Sequence, residues 1–234
     1  MYKRQITGFP QIVLVTFRQA IIDIALEQFN CKDISPAQSS GSLKVYQFSY
    51  RGKSMAIYRT AMGAAMTAAL MEEVIAMGGR KFVFFGSCGT LERSIPAGHI
   101  IVPEAAYRDE GTSYHYRPVS AGDYIQVETA DKLEGIISEF QTPMIRTKVW
   151  TTDGLYRETR KNMKKRRSEG CRVVDMECAA IMAVAAFRGI QAYQFLYTED
   201  NLDHIEWEPR TLGKVPKSAS EGYLRLAAEI GNRI

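Results

Sequence analysis

Four short stretches of this chain place acids, hydroxyls or small residues directly after apolar runs of strand length. They are Gly86-Ser87-Cys88-Gly89, Thr151-Thr152-Asp153, Val174-Asp175-Met176-Glu177 and Thr198-Glu199-Asp200-Asn201. In a largely parallel sheet such strand ends converge on one edge, where open α/β sheets bind ligands. The run Val173–Ala180, VVDMECAA, opens an otherwise apolar helix with two carboxylates. Capping accounts for Asp175, because unpaired N–H groups and the helix dipole favour an acid there. It accounts less well for Glu177, which is followed by small apolar residues; a carboxylate held there suits two vicinal hydroxyls of a sugar. Asp200 follows the apolar run Tyr193–Tyr197. It either starts a turn with Asn201 or donates a proton at a partly dry strand end, with a raised pKa. A loop over Gly86–Gly89 would offer backbone N–H groups and the Ser87 hydroxyl to an anion or a sugar, and a structural turn has the same composition.

The elements that must position these groups alternate along the chain. Gln11–Thr16 reads as a buried strand and Gln19–Phe29 as a helix with one apolar face. Asp33–Ser42 is rich in Ser, Gly and Pro and reads as a loop. Leu43–Tyr50 and Ser54–Thr60 read as a hairpin around Arg51-Gly52. A helix of strong helix formers follows Gly63 and stops at Gly78-Gly79. Lys81–Phe85 is a strand buried on both faces. His99–Val102 is a strand ended by Pro103, and Tyr107–Tyr116 is an ordered polar and aromatic loop. Ala130–Phe140 is helical, Met144–Thr152 a strand, Glu158–Arg167 a basic helix and Met176–Phe187 an Ala-rich helix. Gln191–Tyr197 is a strand, and Ser218 or Ser220 caps the last helix. This alternation predicts one α/β domain over residues 1–234, a three-layer α/β/α sandwich with a mixed central sheet.

Composition narrows the function. The chain has 234 residues, 46% of them hydrophobic, which supports a large core. Thirty basic residues against 26 acidic ones is too mild a balance to point to nucleic acid. The basic run Arg157–Arg167 reads as a solvated or interface helix rather than a nucleic-acid patch. The four cysteines lack CxxC pairing and zinc-like spacing with the three histidines. No metal site and no membrane span is therefore expected, and a reduced, cytoplasmic protein is the simplest account.

Thr60–Leu91, Gly98–Tyr116 (GHIIVPEAAYRDEGTSYHY), Trp150–Arg160 (WTTDGLYRETR) and VVDMECAA resemble, in this order, four blocks of the nucleoside phosphorylase family that includes trimeric and hexameric purine nucleoside and uridine phosphorylases. The resemblance implies that Met176 and Glu177 hold the ribose, with Glu177 accepting from its 2′- and 3′-hydroxyls. It implies that Ser87 touches ribose or phosphate, and that Asp200 protonates a departing purine. Arg210 corresponds to an arginine assisting that acid, and Arg160 to part of the base-reading pair of the uridine-acting members. It also implies a homodimer or homohexamer, with inorganic phosphate as co-substrate and no cofactor.

Three phosphate arginines of the family are replaced here, by Ala20, Phe84 and, in a loop that aligns poorly, Gly41. A phosphate dianion needs charge-assisted donors, which arginine's fork supplies well. Arg18 and Arg59 are the two positions from which such a site could be rebuilt. Three readings follow: a phosphorylase with a rearranged phosphate site, a hydrolase using water on the same scaffold, and a nucleoside-binding protein without turnover. If the chain is extended at Glu199-Asp200, Glu199 faces away from the site and Glu199→Gln is expected to be nearly silent.

Overall fold

A computed structural model describes residues 7–36, 43–204 and 206–234. Its elements are β1 (Ile12–Thr16), α1 (Gln19–Gln28), β2 (Lys32–Asp33), β3 (Val45–Tyr50), β4 (Lys53–Arg59), α2 (Ala64–Met77), β5 (Lys81–Thr90) and β6 (Ile100–Asp109). They continue with β7 (Tyr124–Gln126), α3 (Ala130–Ser138), β8 (Met144–Thr152), α4 (Arg160–Ser168), β9 (Cys171–Asp175), α5 (Cys178–Arg188), β10 (Gln191–Asn201) and α6 (Lys217–Arg233).

The sheet is mixed. β1 lies between β4 and β5, parallel to both, and β3 and β2 extend it as an antiparallel edge. β5 is the long strand that joins its two parts. Its first half, Lys81–Phe85, pairs with β1, while its whole length runs parallel to β10 and its last residues, Gly89 and Thr90, pair antiparallel with β9. β10 also pairs with β6, β6 with β8, and β8 with β9. These pairings close a circuit β5–β10–β6–β8–β9 on one side of the sheet, so the C-terminal ends of β5, β8, β9 and β10 are drawn together.

The sequence explains the layers. Ile12–Thr16 is β-branched and apolar, the composition of a strand covered on both faces, and Val13, Leu14 and Val15 are fully buried. α1 and α3 each pack against α6 on one face of the sheet, and α2 and α5 pack together on the other. α2 ends where Gly78 takes φ +137°, its N–H bonding to the carbonyls of Val74 and Ile75. Among the described residues no helix is long and apolar enough to cross a membrane.

The expected sandwich with a mixed sheet is thus the architecture found. Several local expectations differ from it. Gly86–Gly89 is not a loop but the continuation of β5, paired with Leu196–Asp200 of β10 across an irregularity between Thr198 and Asp200. Pro103 does not end β6; the strand continues to Asp109 across an irregularity in its pairing between Pro103 and Ala105. Tyr107–Asp109 therefore belongs to β6, and only Thr112–His115 is a helical turn. α6 begins after Pro216, with Ser220 buried inside it rather than capping it. Of the Asp33–Ser42 loop, Asp33 ends the short β2, and residues 37–42, including Gly41, lie outside the described residues.

Candidate active site

β9 delivers Asp175 to the start of α5. Its carboxylate accepts the Thr151 hydroxyl at 2.7 Å, the Cys178 N–H at 2.8 Å and the Glu177 N–H at 3.3 Å. Asp175 thereby satisfies the first N–H groups of α5. Thr151, at the end of β8, also accepts the Ala179 N–H at 3.2 Å, which fixes the β8 end to the same helix. Because Asp175 caps the helix, Glu177 is released from that task. Glu177 occupies the N-cap position without a side-chain cap bond, and its Oε1 accepts the Gly63 N–H at 2.5 Å. Gly63 sits at φ +102°, a conformation that glycine adopts without strain.

Asp175 and Glu177 are both buried. Burial raises both carboxyls above their ordinary range, and the Asp175 charge adds to the rise at Glu177. A group that donates hydrogens to Glu177 would relieve this by favouring its ionised form.

Glu177 and Asp175 line a cavity of about 490 Å³ together with Phe17, Arg18, Met62, Ser87, Cys88, Gly89, Leu155, Glu158, Met176 and Asp200. That is the size of a small-ligand site. Asp200 is half-buried and its Oδ2 accepts the Trp207 indole N–H at 2.7 Å. Burial raises its pKa, against the lowering effect of that bond. β5 reaches Asp200 through Gly89, where an added Cβ would stand 3.1 Å from Asp200 Oδ1 and 2.8 Å from Leu202 Cδ1. Gly86 serves likewise, since a Cβ there would stand 2.6 Å from the Phe17 ring. The small residues of Gly86–Gly89 thus permit side chains to lie on a strand; Ser87, Cys88 and Gly89 line the cavity, and Ser87 is the exposed one.

Ser87, Met176, Glu177, Asp200 and Arg18 therefore share one cavity, which the sequence anticipated from separate strand ends. Arg59 does not join them. It lines an adjoining cavity of about 610 Å³ with Lys44 and Tyr46, and the two cavities share Phe17 and Met62. Arg210 does not line the cavity: its guanidinium donates to the carbonyls of Ile95 at 2.6 Å and Arg93 at 3.1 Å and pairs with Glu208, yet its charge lowers the Asp200 pKa against the effect of burial. Arg160 opens α4 on the exposed surface and is not among the residues lining either cavity. Phe84 is fully buried in the core, and Ala20 is exposed on α1.

Two functional groups escaped sequence reasoning. Glu199 is off the cavity, as alternation predicted, yet it is buried and holds Arg18 in an ion pair. Burial pushes Glu199 up to about 7 even against the Arg18 charge. Glu158, expected at the start of the basic helix, lies before that helix and lines the cavity. Burial, and then the Asp200 charge, push it up to about 8. Its only sequence signal was an acid among basic neighbours.

Comparison with known proteins agrees with this geometry. The chain belongs to the phosphorylase superfamily, whose family model matches residues 12–230. It is 24% identical over 172 residues to a guanosine phosphorylase of Halorubrum lacusprofundi, covering 74% of this chain and 71% of that one. It is 27% identical over 158 residues to a DeoD-type purine nucleoside phosphorylase of Alkaliphilus metalliredigens, covering 66% and 67% of the two chains. A uridine phosphorylase of Thermococcus kodakarensis is 37% identical over 67 residues, 29% of this chain and 24% of that one. The family membership expected from the four sequence blocks is borne out, and with it an enzyme of the nucleoside phosphorylase kind.

Proposed function

We propose that the chain cleaves the N-glycosidic bond of a purine nucleoside by phosphorolysis, releasing the free base and ribose 1-phosphate. The observation that carries this reading is the single cavity onto which β5, β9 and β10 bring Ser87, Glu177 and Asp200. Glu177 accepts from the ribose 2′- and 3′-hydroxyls, with Met176 packed beside it. The C1′–N9 bond breaks with its electrons moving to the base, and Asp200 gives its proton to N7. A phosphate oxygen forms the new bond to C1′. Removing charge from the leaving base in this way lowers the barrier to departure. Asp200 supports a purine, because N7 is the atom a proton donor there can serve, and relatives named guanosine and purine nucleoside phosphorylases support the same choice.

Phosphate is held in this reading by Ser87 and Arg18, with Arg59 approaching from the adjoining cavity. Two observations favour a second reading, hydrolysis: the Arg18 charge is already matched by Glu199, and Phe84 fills the core where the resemblance places an arginine. Release of base with and without phosphate separates the two. The reading includes a homodimer or homohexamer, which light scattering measures, and a role in purine salvage in the cytoplasm.

A further inference from the structure

Trp207 is 57% exposed, yet its indole N–H is committed to a cavity acid, donating to Asp200 Oδ2 at 2.7 Å. The chain brings it there by folding back. After β10, Asn201 and Glu208 exchange backbone hydrogen bonds of 2.9 and 3.1 Å, so Trp207 returns beside the strand end that carries Asp200. Asn201 is fully buried; its side chain donates to Glu208 at 2.8 Å and accepts the Thr90 hydroxyl at 3.1 Å. Arg210 fixes the chain beyond the turn through the carbonyls of Ile95 and Arg93. Among the described residues no other residue donates to the Asp200 carboxylate.

The two carboxyl oxygens of Asp200 are thereby made unequal. Oδ2 accepts from the indole. Oδ1 stands beside Gly89, where an added Cβ would come within 3.1 Å of it, and Gly89 lines the cavity. An indole N–H is a donor only. A hydrogen on Oδ2 would meet the indole hydrogen head-on, so a protonated Asp200 carries its hydrogen on Oδ1. We propose that Trp207 is a positioning residue for the leaving-group acid, confining the Asp200 proton to Oδ1 on the cavity side and stabilising the carboxylate left behind. As the Oδ1–H bond breaks and the bond from hydrogen to the base forms, Asp200 becomes charged. A charged acceptor takes a stronger bond from the same donor than a neutral one, so the indole bond strengthens toward the transition state, where it lowers the barrier. This inference rests on the reading of Asp200 as the proton donor.

The test compares wild type with Trp207→Phe, Asp200→Asn and the double variant, with phosphate present. The substrates are guanosine and a nitrophenyl riboside, whose phenolate departs without a proton. Trp207→Phe keeps a ring and removes the N–H. Its kcat on guanosine should fall about 10–100-fold, the worth of one charge-assisted bond, with KM changed less than about threefold. The nitrophenyl riboside should turn over as in wild type. Burial raises the Asp200 carboxyl and the indole bond lowers it. Losing the bond therefore raises it further, and the alkaline fall of kcat should move to higher pH. In the Asp200→Asn background the same substitution should add nothing, since its effect runs through Asp200. Additive losses, equal slowing of both substrates or an unmoved alkaline limb would overturn the inference. If Asp200→Asn slows guanosine and Trp207→Phe does not, the inference fails alone. If neither does, or if the wild type cleaves no nucleoside, the proton-donor reading fails and the inference with it. Should Trp207→Phe not fold, fluorescence of the wild type carries the test, because the other tryptophan, Trp150, is buried. Trp207 emission should change with pH as Asp200 titrates, and Asp200→Asn should abolish that change; emission indifferent to Asp200→Asn overturns the inference.

Discussion

Arg18 and Glu199, separated by 181 residues, form an ion pair beside the cavity, with the Glu199 side chain 1% exposed and that of Arg18 24% exposed. The pair ties the residue after β1 to the end of β10. It also decides what Arg18 has to offer a ligand, because its charge is matched before any anion arrives.

Glu199→Gln is therefore not expected to be silent. It keeps the size but removes the charge opposite Arg18, so the loss of bonds to a charged group, worth about 1.5–3 kcal/mol, is set against relief of the burial that raises Glu199. The partial exposure of Arg18 places the loss toward the lower end of that range. Urea unfolding measures it, and Arg18→Gln combined with Glu199→Gln should recover part of it as a coupling energy. An unchanged midpoint for Glu199→Gln would show that the pair contributes nothing.

Stability should fall as pH rises from about 4.5 to about 8. The folded state holds Glu199 near 7 and Glu158 near 8, both above the ordinary 4.5, and raises Asp175 and Glu177 as well. A raised carboxyl binds its proton more tightly in the folded state than in the unfolded one. Its contribution is complete below the unfolded pKa and is lost as pH climbs through the folded value. Asp33 and Glu229, whose pKa values are lowered, act in the opposite sense but below that window. Tm measured from pH 5 to pH 8 checks the direction, and a rise across that range would contradict the assignment of these shifts.

Glu177→Gln should cost activity and spare the fold. The amide oxygen of glutamine can still accept the Gly63 N–H, so the link to α2 survives. The charged bonds to the ribose hydroxyls are lost, and kcat/KM should fall about 10–100-fold. Steady-state kinetics beside a thermal melt read both halves, and full activity with an unchanged melt would remove Glu177 from the ribose site.

Much of this cavity was legible from strand ends that carry polar groups: β5 and β10 run parallel, and the antiparallel pairing of the β5 and β9 ends brings Glu177 to them. What was not legible depended on side chains meeting from distant parts of the chain. Gly86–Gly89 looked like a loop since nothing local reveals that Phe17 and Leu202 lie over it. Arg210 looked available because two of its partners are carbonyls more than 100 residues earlier, at Arg93 and Ile95. Glu199 was placed on the right side of β10 by alternation, yet its ion pair with Arg18 has no trace in either neighbourhood.

Asp200→Asn should slow turnover of natural purine nucleosides by about 10²–10⁴-fold, the usual worth of a general acid. The variant keeps an oxygen for the Trp207 indole N–H, so the strand end stays in place. A nucleoside whose leaving group needs no proton should be affected far less. Equal slowing of both substrates would show that Asp200 positions the site rather than donating a proton.

The central claim is phosphorolysis, and it is tested most directly by following free base released from guanosine with and without inorganic phosphate while identifying the sugar product. The account predicts base only when phosphate is present, with one ribose 1-phosphate formed per base. Base released at the same rate without phosphate, together with free ribose, would contradict it and establish hydrolysis on the phosphorylase scaffold.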